Sequence, residues 1–321
     1  MQYKQVVTFS AVLAMCASVA TAQTFPTRPV RVIVPYSPGG STDVMLRLLA
    51  PRMSEILGQQ VVVENRPGGS STIGLDIAAK AQPDGHTIGI ANITFGANPS
   101  LIKKMPFDSA KDLLPVSQIT VVTLVLSVHP SVPAKTVKQL IALAKHQPGA
   151  LNYASAGNAS ANHLATERFS SVTGIKMTHV PYKGGGPAVV ALLSGETALL
   201  FATIPSAIHH FKTGALRPLG VSNLKRSVAL PDVPTIAESG VPGFVSNEWN
   251  GALVAVGTPR AAIDRLYHAI AKSIAIPEVH DRIITLGAEP IGSTPEAFGA
   301  FIGSEFSTWA KIIKEVGIKV E

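Results

Sequence analysis

The chain has 321 residues, of which 46% are hydrophobic and 15% are charged, a composition that excludes a disordered chain and suggests two globular domains. Its single cysteine excludes a disulfide framework and any metal site with several cysteine ligands. The net charge of +7 comes from scattered basic residues, which argues against nucleic-acid binding and suits a small anionic partner.

Residues 1–22 have the features of an export signal. One lysine precedes an apolar stretch over residues 6–20, and residues 20–22 (Ala-Thr-Ala) fit the small-residue cleavage pattern before Gln23. We therefore expect cleavage between Ala22 and Gln23 and a mature protein outside the cytoplasm. An uncleaved anchor and lipidation at Cys16 are the alternative interpretations of this segment.

The rest of the sequence alternates short β-branched runs with helical patterns, joined by loops rich in glycine, serine and proline. This alternation is typical of a parallel sheet with crossover helices. We predict strands at 30–34, 61–63, 87–91, 120–128, 151–153, 179–180, 199–201, 216–221 and 251–256. We predict helices from 41 to 57 with a kink or break at Pro51, from about 71, and at 137–145, 163–171, 188–193, 208–212, 259–276 and 295–316.

The run over residues 120–128 is long enough to pass from one domain to another, and a return strand is predicted at residue 251. We expect a first lobe formed by residues 24–124 and 235–321, and a second lobe formed by residues 125–234. The predicted fold class is α/β, with a mostly parallel sheet flanked by helices in each lobe.

Four loops have the composition of a binding site: residues 35–42, 67–72, 155–160 and 181–186. Each follows a strand and leads towards a helix, which is where open α/β sheets bind ligands. Helix N-termini offer unpaired N–H groups, glycine admits close approach, and serine and threonine add hydroxyl donors. Because the loops otherwise hold one lysine, Lys183, and little acid, they indicate a site for a carboxylate or another oxyanion.

Sequence motifs for several other functions are absent. There is no G-x-x-x-x-G-K-[ST] nucleotide loop, no G-x-S-x-G nucleophile motif and no H-E-x-x-H metal motif. We therefore expect neither a cofactor nor a metal ion. The alternatives from other classes are a secreted hydrolase with Ser155 or Ser37 as nucleophile, a metal-ion receptor, and a sensor that presents its ligand to a membrane signalling partner.

Several motifs follow one another in an order that is similar to a known family. They are residues 35–40 (Pro-Tyr-Ser-Pro-Gly-Gly) with Asp43, 63–69 (Val-Glu-Asn-Arg-Pro-Gly-Gly), 153–157 (Tyr-Ala-Ser-Ala-Gly) with His163, 181–184 (Pro-Tyr-Lys-Gly) and 230–235 (Leu-Pro-Asp-Val-Pro-Thr). From residue 25 to residue 321 the sequence resembles the substrate-binding proteins of tripartite tricarboxylate transporters, the Bug-type periplasmic receptors.

The resemblance implies a type II-like periplasmic binding protein whose two lobes close on a small organic carboxylate. It implies a monomeric periplasmic receptor without enzymatic activity, which binds no nucleic acid and delivers its ligand to membrane permease subunits. Residues 36–42 and 155–160 would hold one ligand carboxylate. The predicted ligand-binding residues are Tyr36, Ser37, Pro38, Gly39, Gly40, Thr42, Gly69, Ser155, Gly157, Asn158, Ala159, Ser160, His163, Tyr182, Lys183 and Thr203.

The sequence departs from the family pattern at two positions. Ala159 replaces a glycine that family members usually have, which is expected to narrow the backbone approach to the ligand. Ala202 replaces an aspartate that is often near the ligand, and Thr203 is the nearest polar substitute. Since an ammonium buried without an acceptor is costly, we expect amine-free carboxylates, aliphatic or aromatic, to bind better than amino acids.

Overall fold

The computed structural model describes residues 25–316, so the predicted signal segment lies outside the described residues. The described part has ten strands: β1 (Val30–Val34), β2 (Val61–Asn65), β3 (Thr87–Asn92), β4 (Leu113–Val128), β5 (Asn152–Ser155), β6 (Thr178–Pro181), β7 (Leu199–Thr203), β8 (Arg217–Val221), β9 (Asn247–Ala255) and β10 (Ala288–Pro290). It also has ten helices: α1 (Ser41–Leu57), α2 (Thr72–Ala79), α3 (Ile93–Leu101), α4 (Val137–His146), α5 (Ala161–Thr173), α6 (Gly185–Leu193), α7 (Ile204–Lys212), α8 (Arg260–Ala275), α9 (Pro277–Thr285) and α10 (Pro295–Val316).

The predicted α/β class is confirmed, and the strands form two parallel groups joined by antiparallel strands. Parallel β2, β1 and β3 make up one group, and β5 pairs in parallel with β6 and β7 in the other. Between the groups, β9 pairs antiparallel with β3 and β4, and β4 pairs antiparallel with β7 and β8. These antiparallel additions make each lobe's sheet mixed, which the sequence analysis did not specify.

Strand β4 belongs to both lobes. Thr123 pairs with Asn247 of β9, whereas the next residue, Leu124, pairs with Thr203 of β7. The run predicted to connect two domains is the second half of this strand. We therefore propose that the strand crosses between the lobes at residues 123–124.

Backbone contacts connect the segment after residue 235 to the end of strand β8. Thr235 forms a parallel bridge with Val221, and Ile236 donates a backbone hydrogen bond to the Val221 carbonyl at 2.9 Å. Ser246 N–H donates to the Ser222 carbonyl at 2.9 Å, and Asn247 starts the return strand β9. We therefore propose that lobe two extends to about residue 246.

Helix α1 is continuous over Ser41–Leu57 although it contains Pro51, so the predicted break does not occur. Pro51 is exposed, so water can satisfy the carbonyl that lacks its N–H partner. The other side of the helix packs Met45, Leu49 and Met53 into the core of lobe one.

Helix α3 was not predicted, because Gly96 and Pro99 are poor residues for a helix interior. Packing explains the glycine: a Cβ on Gly96 would lie 3.1 Å from the Glu305 Cβ and 3.3 Å from the Trp309 ring of α10. Tertiary contact with α10 therefore outweighs the low helix propensity of this segment.

The carboxyl ends of β1, β5 and β6 lead through a loop into a helix, and those of β3 and β7 lead into a helix directly. These five strands are distributed over both lobes, and their ends meet at the cleft between the lobes. The topology thus brings loops of distant sequence positions to a single site.

Candidate functional site: the interlobe cleft

A small polar cavity of about 20 Å³ lies between the lobes. Its eleven lining residues come from both lobes and include no lysine, arginine or histidine. They are Tyr36, Gly40, Ser41, Thr42, Asn92 and Glu248 from lobe one and Ala156, Ser160, Asn162, Gly185 and Thr203 from lobe two. We call this space the inner cavity.

Five helix N-termini converge on the inner cavity. The N-caps of α1, α3, α5 and α7 are Gly40, Asn92, Ser160 and Thr203, and α6 begins at Gly185. Each helix start carries unpaired N–H groups and a partial positive charge, which together attract an anion. These helix starts together offer N–H donors to an anion, although the cavity lining contains no basic side chain.

In lobe one, Asp43 holds the loop between β1 and α1. Its carboxylate accepts hydrogen bonds from the Gly39 N–H at 3.0 Å, from Arg47 at 2.9 Å and from Asn65 at 3.0 Å. Burial favours the neutral carboxyl, but these hydrogen bonds outweigh it and keep the pKa of Asp43 below its usual value. Asp43 thus acts as a structural anchor of the first binding loop.

Tyr36 forms a buried polar contact at the base of the inner cavity. Its hydroxyl donates to the Asn92 side-chain oxygen at 2.8 Å and lies 2.7 Å from the Thr94 hydroxyl. Burial raises the pKa of Tyr36, so its hydroxyl keeps its proton. The Asn92 oxygen also caps α3 by accepting from the Thr94 N–H at 3.0 Å, so the same network fixes the start of that helix.

Strand β9 contributes two polar side chains that the sequence analysis did not identify. The Ser41 hydroxyl donates to the Glu248 carboxyl, and the Thr42 hydroxyl donates to the Asn250 side-chain oxygen at 2.7 Å. Glu248 is only 5% exposed. Burial raises its pKa to about 7, against the opposing effect of hydrogen bonds with Ser41 and Thr42.

An acid therefore lines the cavity, which the composition of the four loops did not indicate. The four loops contain little acid, but Glu248 enters the cavity lining from a strand outside them. The signal was available in the sequence: Glu248 and Asn250 alternate with Trp249 and Gly251, the period of a strand with one polar face. The strand predicted from the sequence starts at residue 251, three positions after Glu248, so it does not include this side chain.

In lobe two, a stack of aromatic rings lies beneath the loop between β5 and α5. His179 stacks on His163 with ring centroids 4.1 Å apart and on Tyr153 at 4.8 Å. Burial lowers the pKa of His163 to about 4, and burial together with His163 lowers that of His179 to about 4. Both imidazoles are therefore neutral near pH 7.

The neutral imidazoles hydrogen bond with the loop itself. Ser155 Oγ lies 2.6 Å from His179 Nε2, and the Ala159 N–H donates to His163 Nδ1 at 3.1 Å. Ala159 has a φ of 60°, and it is fully buried in the hydrophobic core. Its methyl group therefore packs within the protein, so the expected narrowing of the ligand approach has no support here.

Ser155 and His179 have the spacing of a nucleophile and its base, but the hydroxyl is not accessible. Ser155 is 0% exposed, donates to the Gly157 carbonyl at 3.1 Å and accepts from the Gly157 N–H at 3.1 Å. The hydroxyl is therefore fully engaged by the Gly157 main chain and by His179. The contacts indicate a structural role for Ser155 rather than a nucleophilic one.

A second cavity of about 730 Å³, which we call the outer cavity, shares Tyr36 and Ala156 with the inner one. It is lined by Pro35, Tyr36, Gly68, Gly69, Ser70, Ser71, Thr72, Leu101, Ile102, Lys103, Ala156, Gly157, Asn158, Pro181, Tyr182 and Lys183. Unlike the inner cavity, it includes two lysines, and it is large enough for a small organic molecule.

The two lobes touch through their glycine-rich loops. The Ser37 N–H donates to the Lys183 carbonyl at 3.0 Å. Gly186 packs against Pro38 so closely that a Cβ on Gly186 would lie 2.3 Å from the Pro38 carbonyl oxygen. We call the contact of residues 37–40 with residues 183–186 the glycine contact.

The sixteen predicted ligand-binding residues thus fall into three groups. The inner cavity includes Tyr36, Gly40, Thr42, Ser160 and Thr203, and the outer cavity includes Tyr36, Gly69, Gly157, Asn158, Tyr182 and Lys183. The remaining six line neither cavity: Ser37, Pro38 and Gly39 belong to the glycine contact, and Ser155, Ala159 and His163 support the second loop from inside. Ligand contact by any of them stays a prediction.

Among residues 25–316, no helix is long and apolar enough to cross a membrane. Over the same described range, no three metal-ligating side chains converge.

Two lobes that share a bridging strand, with a polar cavity between them, define the class of two-lobed periplasmic solute-binding proteins. Within that class, the chain belongs to the family described as the tripartite tricarboxylate transporter family receptor, whose model matches residues 45–318. The resemblance inferred from the motifs is therefore confirmed.

Relatives over nearly the whole chain agree with this family. Protein BugT of Bordetella pertussis is 38% identical over 307 residues, which are 95% of this chain and 94% of BugT. The structure of Rpa4515 from R. palustris with adipate has a TM-score of 0.89 and 36% identity, covering 92% of this chain and 99% of that one. MatC from Rhodopseudomonas palustris with bound malate has a TM-score of 0.86 and 30% identity, covering 90% and 100%.

Proposed function

We propose that this protein is a periplasmic receptor that captures a small organic carboxylate between its lobes and delivers it to the permease of a tripartite tricarboxylate transporter. The observation that carries the proposal is the convergence of five helix N-termini on one polar cavity. Such a set of N–H donors matches an anion. The ligands of two similar structures, adipate and malate, are both dicarboxylates.

The ligand carboxylate would bind in the inner cavity, between the starts of α1 in lobe one and α5 in lobe two. The Thr42 and Ser160 side chains line this space, and Gly40 allows close approach to the backbone. The rest of the ligand would extend past Tyr36 and Ala156 into the outer cavity, since these two residues line both spaces.

Entry of a ligand requires the lobes to separate. A cavity of about 20 Å³ holds no more than one or two water molecules. The two chain crossings, at residues 123–124 of β4 and 246–247 before β9, are the only covalent connections between the lobes in the described chain and would act as hinges. The receptor would therefore open and close around its ligand.

We further propose that the protein is exported and that it binds its ligand without catalysing a reaction. The features of residues 1–22 support cleavage after Ala22 and a location in the periplasm. The inaccessible Ser155 hydroxyl argues against the hydrolase alternative. Ester turnover by the purified mature protein, above that of a Ser155→Ala variant, would contradict this part of the proposal.

The test is calorimetry with matched pairs of probes on the mature chain. Succinate, malate and adipate are compared with succinamide, malamide and adipamide, which keep the length but lack the charge. We expect at least one acid to bind with a dissociation constant in the micromolar range or below, and its diamide to bind at least 100-fold more weakly. Equal binding of acid and diamide in every pair would contradict a carboxylate receptor, as would the absence of binding both by these acids and by their 2-amino counterparts.

Small-angle scattering on the same samples tests closure. We expect the radius of gyration to fall when the binding acid is added and to stay constant with its diamide. An unchanged distance distribution at saturation would contradict the hinge.

A further inference from the structure

Glu248 is a carboxyl group within a site built to attract anions. It lines the inner cavity together with Ser41, the first residue of α1 in lobe one, and Ser160, the N-cap of α5 in lobe two. A cavity of about 20 Å³ places all of its lining groups within a few ångströms of one bound functional group. Any ligand that fills this cavity must therefore contact Glu248 as well as the helix N-termini.

Within residues 25–316, no basic side chain forms an ion pair with Glu248. Its carboxyl accepts a hydrogen bond from the neutral hydroxyl of Ser41, and the cavity lining contains no basic side chain. A carboxylate that is 95% removed from solvent without a counter-ion is costly, and the same negative charge repels a ligand carboxylate bound beside it. A ligand that brings its own positive charge removes both penalties.

We propose that Glu248 is the acceptor for an amino group of the ligand, so that the cleft selects carboxylates that carry an ammonium over amine-free carboxylates of the same length. The helix N-termini would hold the ligand carboxylate, and Glu248 would hold the ammonium. This proposal rests on the proposed function, because it specifies which carboxylates the site takes. It reverses the selectivity expected from Ala202, since the acceptor is supplied by β9 instead of β7.

Two further observations agree with this role. Burial raises the pKa of Glu248 to about 7, so its charge is sensitive to whether a cation is beside it. The carboxyl is also held in place: Ser41 is the first residue of α1, and the adjacent Thr42 is bonded to Asn250 on the same face of β9 as Glu248. An acceptor fixed in this way can distinguish ligands by the position of their amino group.

The test uses three pairs of probes that differ only in the amine: succinate and aspartate, glutarate and glutamate, adipate and 2-aminoadipate. Calorimetry at pH 8 is chosen because Glu248 is then ionised and the amines are still protonated. We expect the amino member of at least one pair to bind tenfold or more tightly than its partner.

Two substitutions of Glu248 distinguish the effect of its negative charge from the effect of its side-chain size and shape. Glu248→Gln keeps an acceptor for Ser41 but removes the charge, and is expected to weaken the amino member at least tenfold while changing the amine-free member less than threefold. Glu248→Asp keeps the charge and is expected to retain the preference in reduced form. Glu289→Gln makes the same chemical change on exposed β10 and is the control, expected to match the wild-type protein.

Several outcomes would overturn the proposal. Tighter or equal binding of the amine-free member in every pair, or an equal loss for both members in Glu248→Gln, contradicts amine recognition but leaves a carboxylate receptor standing. Binding by none of the six probes contradicts both proposals. A melting temperature of Glu248→Gln within a few degrees of wild type is the check that the variant is folded, and Glu248→Asp supplies the comparison if it is not.

Discussion

The two walls of the cleft hold their donor groups in different ways. In lobe one, the hydroxyls of Ser41 and Thr42 are bonded to Glu248 and Asn250, and one of these partners can carry a charge. In lobe two, the loop of Ser155 is bonded to His163 and His179, which are neutral at pH 7 because they are buried. We therefore expect lobe one to respond to the charge of the ligand, and lobe two to supply uncharged donors.

The largest effect is expected where the two walls meet. In Gly186→Ala the new Cβ would lie 2.3 Å from the Pro38 carbonyl oxygen, so the glycine contact cannot form without displacement. We expect ligand affinity to fall about 100-fold, the upper range for overpacking of a tight contact. Calorimetry measures the loss, and scattering should show a ligand-bound form that is less compact than wild type.

Gly303→Ala is the matched control, because a Cβ there meets no atom within 4 Å. It should bind and close like the wild-type protein. Normal affinity of Gly186→Ala would mean that the lobes do not touch in the liganded state.

A pair of hydroxyl deletions compares the walls directly. Thr42→Val removes a hydroxyl that lines the inner cavity, and is expected to weaken binding about tenfold. It also leaves the buried Asn250 oxygen without one partner, so we expect a stability loss of about 1 kcal/mol. Ser155→Ala leaves His179 Nε2 and the Gly157 N–H without their partner inside the protein. We expect a loss of about 2 kcal/mol in stability and a weaker effect on binding.

Thermal melts and calorimetry on both variants check this contrast. Thr285→Val, an exposed change on α9, is the control for the loss of a threonine hydroxyl. A larger drop in melting temperature for Thr42→Val than for Ser155→Ala would reverse the comparison.

The stability of lobe two should depend on pH. In the unfolded chain an imidazole takes up its proton near pH 6.5, whereas His163 and His179 do so near pH 4 when folded. Between these values the unfolded state binds more protons, so stability is complete above pH 6.5 and is lost as the pH falls towards 4. We expect the melting temperature to drop by about 5 °C between pH 7 and pH 4.5.

Glu248 acts in the opposite direction over part of this range. Its folded-state pKa of about 7 exceeds its ordinary value of 4.5, so folding takes up a proton and stability rises as the pH falls from 7 to 4.5. Glu248→Gln should therefore steepen the acid loss, and His179→Phe should flatten it. His268→Phe, an exposed histidine, should follow wild type, and an unchanged slope in His179→Phe would contradict the assignment to the ring stack.

The smallest effect is expected at Lys183. Its side chain is exposed beside the outer cavity, and the contact between the lobes uses its backbone carbonyl. Lys183→Met should therefore change affinity by less than about threefold at physiological salt, because an exposed charge is largely screened. Calorimetry at low and high salt checks this, and a tenfold loss would restore Lys183 as a direct ligand contact.

The local parts of the site could be predicted from the sequence, because they depend on neighbours along the chain. The loop from Tyr36 to Thr42 was correctly placed between a strand and a helix, since its glycines, proline and caps all act over a few positions. The hinge strand was also visible as a long β-branched run.

The missing parts depend on contacts between distant positions. Glu248 meets Ser41 across 207 positions, and no local pattern states that β9 lies beside α1. The support of the Ser155 loop by His179, 24 positions away, is of the same kind, so histidines that looked scattered form one stack. Helix α3 has a low intrinsic helix propensity, because its residues fit the packing against α10. Its sequence therefore does not predict a helix.

The glycine contact has a further consequence for the range of molecules the receptor can hold. Because the contact is made by main-chain atoms of Ser37 and Lys183 and by glycines with no side chain to fold aside, it sets a lower limit on the distance between the lobes. A molecule that fits within that limit is enclosed completely, and a longer one keeps the loops apart by its excess length. The extent to which the lobes close around a ligand would therefore depend on the length of that ligand. A membrane partner that recognised only the fully closed receptor would reject oversized ligands without contacting them.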